Sequence, residues 1–311
     1  MMKYKKIITL SIGIPILLGG CMNLDVGNHD KNGEKTEANS QAEYNQNLIS
    51  VQDYTGQGYE LDGGEETTKI AEAHREEIEK AVKTFFLDKY KTKVKVHHIV
   101  GALNAASVFV ESEGEPHFHT YAVVPIDVKA EEVLTDKVWS QEGQVESAIN
   151  SGIYAMVFDQ ELGKLDDYLA KTAKQEPVVG MRQEAVNNVM ASGFHTIYYY
   201  ITTFDDSLDK VYLKYLKNPN KSKEEWKREI KHSKTDPESF YVTIHLFMEK
   251  PNTEPDKSIF DQIVKDLENM EGLAPGQYSV FLHDNTINKK AGSNSQENTL
   301  ERSDPTYIMK D

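Results

Sequence analysis

Hydrophobic and polar positions change period several times along the chain, and each change marks an element. Ile7 to Leu18 is an apolar run interrupted only by Thr9, Ser11, Gly13 and Pro15. From Met22 to about Ser50 the residues are mostly Asn, Asp, Glu, Lys, Gln and Gly without periodicity, the pattern of a flexible polar tether. Four glycines then punctuate Val51 to Gly64 as a loop entry. Ile70, Ala73, Ile78, Ala81, Val82 and Phe85 fall near helical spacing, with Glu76/Lys80 and Glu79/Lys83 as i,i+4 pairs on the other face. This predicts one long amphipathic helix to about Tyr90.

Three strand-like segments follow, Val94 to Val100, Ala106 to Ser112 and Phe118 to Ile126, and the short turns between them imply an antiparallel meander. Helical spacing returns over 142–172 and again over 181–192. A β-branched and aromatic strand is predicted from Phe194 to Phe204. Two polar helices (208–216 and 223–231), a strand (240–248), a helix (259–270) and a last strand (278–282) complete the order. Strands first and strands mixed with helices later give an α+β class, with antiparallel sheet packed by several amphipathic helices. The domain boundaries follow: a leader over 1–20, a linker over 21–60, one α+β domain over 61–285 and a polar tail over 286–311. Phe118-His119-Thr120 and Phe194-His195-Thr196 each open a strand, which leaves open two similar halves divided near residue 175.

The N-terminal pattern carries the clearest chemistry. Lys3, Lys5 and Lys6 precede the apolar run, and Gly19 and Gly20 lead into Cys21, the layout of a secretory signal peptide. A spanning helix needs roughly 20 apolar residues, so the shorter run between Ile7 and Leu18 is not a permanent transmembrane segment. Leu18-Gly19-Gly20-Cys21 resembles the lipobox of bacterial lipoproteins. The resemblance implies cleavage between Gly20 and Cys21, attachment of a diacylglycerol to the Cys21 sulfur, and residence on the extracytoplasmic face of the cell membrane. Two acyl chains suffice for stable attachment where one is marginal.

Composition sharpens this picture. Among 311 residues there are 35 basic and 50 acidic side chains, a net charge of −15, and one cysteine. A lone thiol excludes an intrachain disulfide and a multi-cysteine zinc site. The three leader lysines face no acids in residues 1–20, so a chain matured at Cys21 carries −18. That balance opposes nucleic-acid binding, which draws its affinity from Lys and Arg, and it leaves the lipid rather than surface charge as the membrane contact. Peptide, glycan and protein partners remain open.

Histidine is the best candidate for further chemistry. His117 and His119 are two apart on a predicted strand and project from one face, a way to begin a zinc or copper site. His195, His245 and the His97/His98 pair lie in other strands. His195 is the third candidate ligand, and Glu111, Glu113 or Glu115 can supply a general base. No HExxH motif and no GxSxG elbow is present, so the chain carries no catalytic signature. Tyr198 and Tyr200 alternate onto one face of the predicted aromatic strand and form a candidate stacking platform for sugar or peptide. The residues favour a non-enzymatic binding or interaction module without a cofactor. The alternative is a membrane-anchored, zinc-dependent hydrolase built on the histidines.

Four longer stretches carry a family likeness. Val51 to Tyr59 (VQDYTGQGY), Glu113 to Val128 (EGEPHFHTYAVVPIDV), Asp136 to Met156 (DKVWSQEGQVESAINSGIYAM) and Leu300 to Asp311 (LERSDPTYIMKD) resemble an uncharacterised family of lipoproteins from low-GC Gram-positive bacteria. That family is classed as a domain of unknown function. The likeness spans most of the mature chain and implies lipoprotein status, but it brings no catalytic residues with it.

Overall fold

The computed structural model describes residues 44–203, 209–232, 236–294 and 298–311. The leader, the Gly20/Cys21 cleavage site and most of the predicted tether lie outside them, as do Phe204 and Leu208. Strand β1 (Leu48–Ser50) is followed by helices α1 (Glu65–Ala73) and α2 (Arg75–Tyr90). Strands β2 (Val94–Ala102), β3 (Ala105–Ser112), β4 (His119–Asp127) and β5 (Glu132–Val133) form the first sheet in that order, all antiparallel. The predicted meander is therefore present.

Helices α3 (Gln144–Val157) and α4 (Asp159–Gln175) lead to strand β6 (Val178–Val179) and the short helix α5 (Gln183–Val189). Strands β7 (Phe194–His195) and β8 (Tyr199–Thr202), helices α6 (Asp209–Lys217) and α7 (Lys223–His232), strand β9 (Tyr241–Met248), helix α8 (Lys257–Asn269) and strand β10 (Gly276–His283) follow. The second sheet runs β13 (Thr299–Arg302), β10, β9, β8, β7, with β14 (Ile308–Lys310) on β10 and β6 on β9. Its β9/β10 pair is parallel, with α8 as the crossover. Strands β11 (Thr286–Asn288) and β12 (Ser293–Asn294) make a small sheet with β1.

Alternation along the strands sorts the side chains into two faces. Val108, Val110, Ala122, Val124, Ile201, Val242, Ile244, Leu246, Val280 and Leu282 point into the main core beneath the long helices. Each valine, leucine or isoleucine among them contributes about 1.5–3 kcal/mol when fully buried. The opposite face carries Glu111, His119, Tyr200, His245, Phe247, Phe281 and His283. A smaller core covers part of that face, built from Val51, Tyr54, Ala185, Val189, Phe247 and Ile287.

Four expectations change. Helix 65–90 is two helices, broken at His74 (φ −110°, ψ 24°). The first of them docks separately on β2, where Thr67 Oγ1 donates to the Ala102 carbonyl and Thr68 Oγ1 accepts from Gly101 N–H. The strand from Phe194 is a tight hairpin, with Phe194 opposite Ile201 and His195 opposite Tyr200. Tyr198 sits in its turn and packs on the main core, so Tyr198 and Tyr200 do not form one platform. Residues 48–54 are part of the folded domain rather than of a linker reaching 60, since β1 is paired and Val51 and Tyr54 are fully buried. Residues 286–311 are not a loose tail: Ile49 pairs with Ile287, and β13 and β14 pair with β10. Each of these pairings joins segments far apart in the chain, so no local pattern announces them.

The two large sheets meet at one backbone pair. His119 N–H donates to Gly193 O (2.8 Å) and Gly193 N–H to His119 O (3.1 Å). Gly193 has φ +110°, and a Cβ there would lie 2.1 Å from Ile201 O, so only glycine fits. Beside this junction α3 lies directly against the backbone before β4. A Cβ on Gly152 would lie 2.6 Å from His117 O.

Two glycines in helix interiors should therefore answer oppositely to alanine. Gly163→Ala in α4, where a Cβ meets nothing within 4 Å, is expected to stabilise by about 0.5–1 kcal/mol. Gly152→Ala is expected to destabilise by at least about 1 kcal/mol despite the same helix-propensity gain. Urea midpoints of the two variants check this, and equal shifts would disprove the close approach.

Candidate functional site

Strand register assembles the site. Glu111 on β3 lies directly opposite His119 on β4, and His117 precedes His119 by two residues on the same face. The loop that delivers His117 is clamped by the buried Ser112. Its hydroxyl donates to Pro116 O (2.9 Å) and accepts from Phe118 N–H (2.9 Å). Glu111, His117 and His119 each bring one ligand-type atom, all within 4.8 Å of one another.

Each member of this group is held by further side chains. Glu111 Oε2 is 2.7 Å from His97 Nε2, while Oε1 lies 3.5 Å from His117 Nε2. The His97 hydrogen bond holds the Glu111 carboxyl below the usual range, assisted by the nearby His119 and His117 rings. His119 is fully buried, and its Nε2 is 3.2 Å from Asn187 Oδ1. That amide oxygen also accepts from Gln183 Nε2 (2.8 Å), so it is the acceptor and His119 carries its proton on Nε2. His119 Nδ1 is then a bare lone pair, buried without a hydrogen-bond partner. Burial lowers the His119 pKa to about 4, which keeps the ring neutral.

His195 stands beside this group. Its ring centre is 5.5 Å from that of His119, and its Nε2 is also buried without a partner. Burial, reinforced by His119, pushes its pKa well below the usual value, with the Ser192 backbone as its hydrogen-bond partner. The arrangement offers one carboxylate and neutral imidazoles, the donor set suited to zinc or copper. The Oε1–Nε2 separation of 3.5 Å is close to the roughly 3.4 Å between two ligands of a tetrahedral zinc with bonds near 2.0–2.1 Å.

The sequence-derived candidates thus fare differently. His117 and His119 come together, but the third member of the tight group is Glu111, which the sequence suggested only as a base. His97 and Asn187 were not predicted as supports. His97 sits at a β-bulge between Val96 and His98, and Asn187 reaches the site from α5, a helix with no local link to β4. His245 lies further along the same face. Its Nδ1 is 2.8 Å from His283 Nε2, and His283 Nδ1 is 2.8 Å from Thr299 Oγ1. Tyr200 stacks on His245 at 5.6 Å between ring centres.

Residues 41–310 match a family described as Protein of unknown function (DUF1672). A crystal structure of a DUF1672 family protein from Staphylococcus aureus is similar, with a TM-score of 0.70 and 22% identity over 85% of this chain and 98% of that one. At that identity the likeness concerns the fold. No curated protein matches the chain. Among the described residues, no helix is long and apolar enough to cross a membrane.

The buried imidazoles make stability depend on pH with a definite sign. Burial lowers His245 to about 4 and His283 to about 2, whereas unfolded histidine titrates near 6.5. As pH falls, the unfolded chain takes up these protons first. The stability present above about pH 6.5 is therefore lost progressively as pH falls toward 4. The urea midpoint is expected to drop across that window, and the drop should flatten in a His245→Gln/His283→Gln double variant. An equally steep drop in that variant would assign the acid sensitivity elsewhere.

Proposed function

We propose that this chain, which belongs to the DUF1672 family, is a lipid-anchored extracytoplasmic module that binds a transition-metal ion such as zinc or copper, without catalysing a reaction. The observation that carries the reading is His119. It is a fully buried imidazole whose Nε2–H is committed to Asn187 and whose Nδ1 lone pair has no partner. A buried polar atom left unpaired is costly, and a metal ion is the occupant that resolves it alongside a carboxylate and a second imidazole. Ligating histidines characteristically donate their other ring N–H to an oxygen acceptor, the role Asn187 fills. Glu111 Oε1 and His117 supply the remaining donors, and His97 orients Glu111 through Oε2. The acidic chain draws cations toward such a site.

The anchor belongs to the same reading and rests on Cys21 within Leu18-Gly19-Gly20-Cys21. The chain between Cys21 and Tyr44 then links the lipid to the folded domain.

Zinc titration by calorimetry is expected to give one site, lost in His119→Ala and Glu111→Ala. Asn187→Leu should bind about 10–100-fold more weakly, as for other partners of ligating residues. Excess zinc should stabilise the unmutated chain by about 2.7 kcal/mol at 100 times Kd, Asn187→Leu by less, and His119→Ala and Glu111→Ala not at all. A chain that binds zinc no better than His119→Ala contradicts the metal reading. For the anchor, Cys21→Ala is expected to leave the protein unprocessed or released from membranes. Mature, membrane-bound Cys21→Ala protein would refute the lipid attachment.

A further inference from the structure

The residues flanking β4 on its two sides are related by register. On one side Glu111 is opposite His119. On the other, His119 pairs with Gly193 in an antiparallel bridge. His195, two residues beyond Gly193, therefore lies on the face that carries Glu111 and His119, with its ring centre 5.5 Å from that of His119. Glu111, His117, His119 and His195 thus form the four corners of one patch spanning β3, β4 and β7.

His195 has the same mark as His119. It is 7% exposed, and its Nε2 is buried with no hydrogen-bond partner. With Nε2 unpaired, the Ser192 backbone contact belongs to Nδ1, so this tautomer too presents a bare lone pair. Two adjacent buried imidazoles, each with one nitrogen committed and one empty, are hard to explain as packing alone. An apolar ring of the same size, such as phenylalanine, leaves no polar atom unsatisfied.

We infer that His195 is the fourth protein ligand of the metal ion, joining through Nε2 to make a closed site of three histidines and Glu111. This rests on the metal-binding reading above and deepens it. A four-ligand tetrahedral site leaves no coordination position for water or substrate, the feature that separates storage and structural sites from catalytic ones. The tight group is Glu111, His117 and His119, and His195 adjoins it through His119, with ring centres 5.5 Å apart; it joins the ion by turning its Nε2 toward that group.

Cobalt(II) serves as the probe, in the full chain purified in detergent. The unmutated protein is expected to give the intense visible bands of four-coordinate cobalt, unchanged by azide. His195→Ala should bind cobalt and zinc about 100-fold more weakly, at or beyond the upper end for supporting residues. Its cobalt spectrum should be weak and should shift with azide, because a position has opened. Added imidazole should restore the four-coordinate spectrum in His195→Gly, which separates a lost ligand from a lost fold. Cadmium-113 loading of the unmutated chain tests the same contact without mutation, through scalar coupling to His195 Nε2.

Coupling to His117 and His119 but not His195, or unchanged affinity in His195→Ala with binding lost in His117→Ala, would overturn the fourth ligand and leave a three-ligand site. An azide-sensitive spectrum in the unmutated chain would do the same. Failure of the unmutated chain to bind cobalt or zinc would instead overturn the metal reading itself.

Discussion

The pair of backbone hydrogen bonds between His119 and Gly193 organises the rest of the molecule. A four-stranded meander and a mixed sheet become neighbours along this one contact, and it can form only because residue 193 has no Cβ. Register then propagates from it in both directions. On the β3 side it follows the ladder that sets Glu111 opposite His119, and on the β7 side it brings in His195. Because side chains alternate with a period of two, a slip of one residue here would turn His119 into the helical core and expose Thr120 in its place.

The division of chemistry between the two faces follows from desolvation. The helical face holds the main aliphatic and aromatic core. Imidazoles and carboxylates are too costly to place there without partners. They are gathered on the other face, where backbone and amide groups can meet them. His98 Nδ1 lies 2.9 Å from Asn188 O, and Asn188 Nδ2 donates to Thr55 O at 2.7 Å. Helix α5 is thus pinned both to the histidine face and to the segment after β1. The cover over this face is assembled from parts of the chain that are remote in sequence, and it fixes which nitrogen of His119 carries the proton.

Much of the fold was legible because its pattern is local. The β2–β4 meander, the paired helices after residue 142, the strand from Phe240 and the helix from Ile259 all announce themselves by period and by short connections. The long helix to Tyr90 misled because the apolar spacing gives no sign of the break at His74, while the first half is tied to the end of β2 through Gly101 and Ala102. Tyr198 misled because a run of β-formers conceals a turn, here closed by Thr196 Oγ1 accepting from Tyr198 and Tyr199 N–H. The C-terminal strands were read as a tail since the segment is short of apolar residues and the strand partners of Ile287 and Ile308, Ile49 and Tyr278, are distant.

By itself the sequence determined the class of fold and the placement of His117 and His119 on one face. These are properties of spacing between near neighbours, and spacing is what a sequence displays. Only the tertiary structure decided that Glu111 joins the two histidines, that Asn187 sets the His119 tautomer, and that His195 stands beside His119. Such choices depend on register between strands and on which buried donor meets which acceptor. Both are settled by packing free energy summed over the whole domain, which no local stretch of residues records.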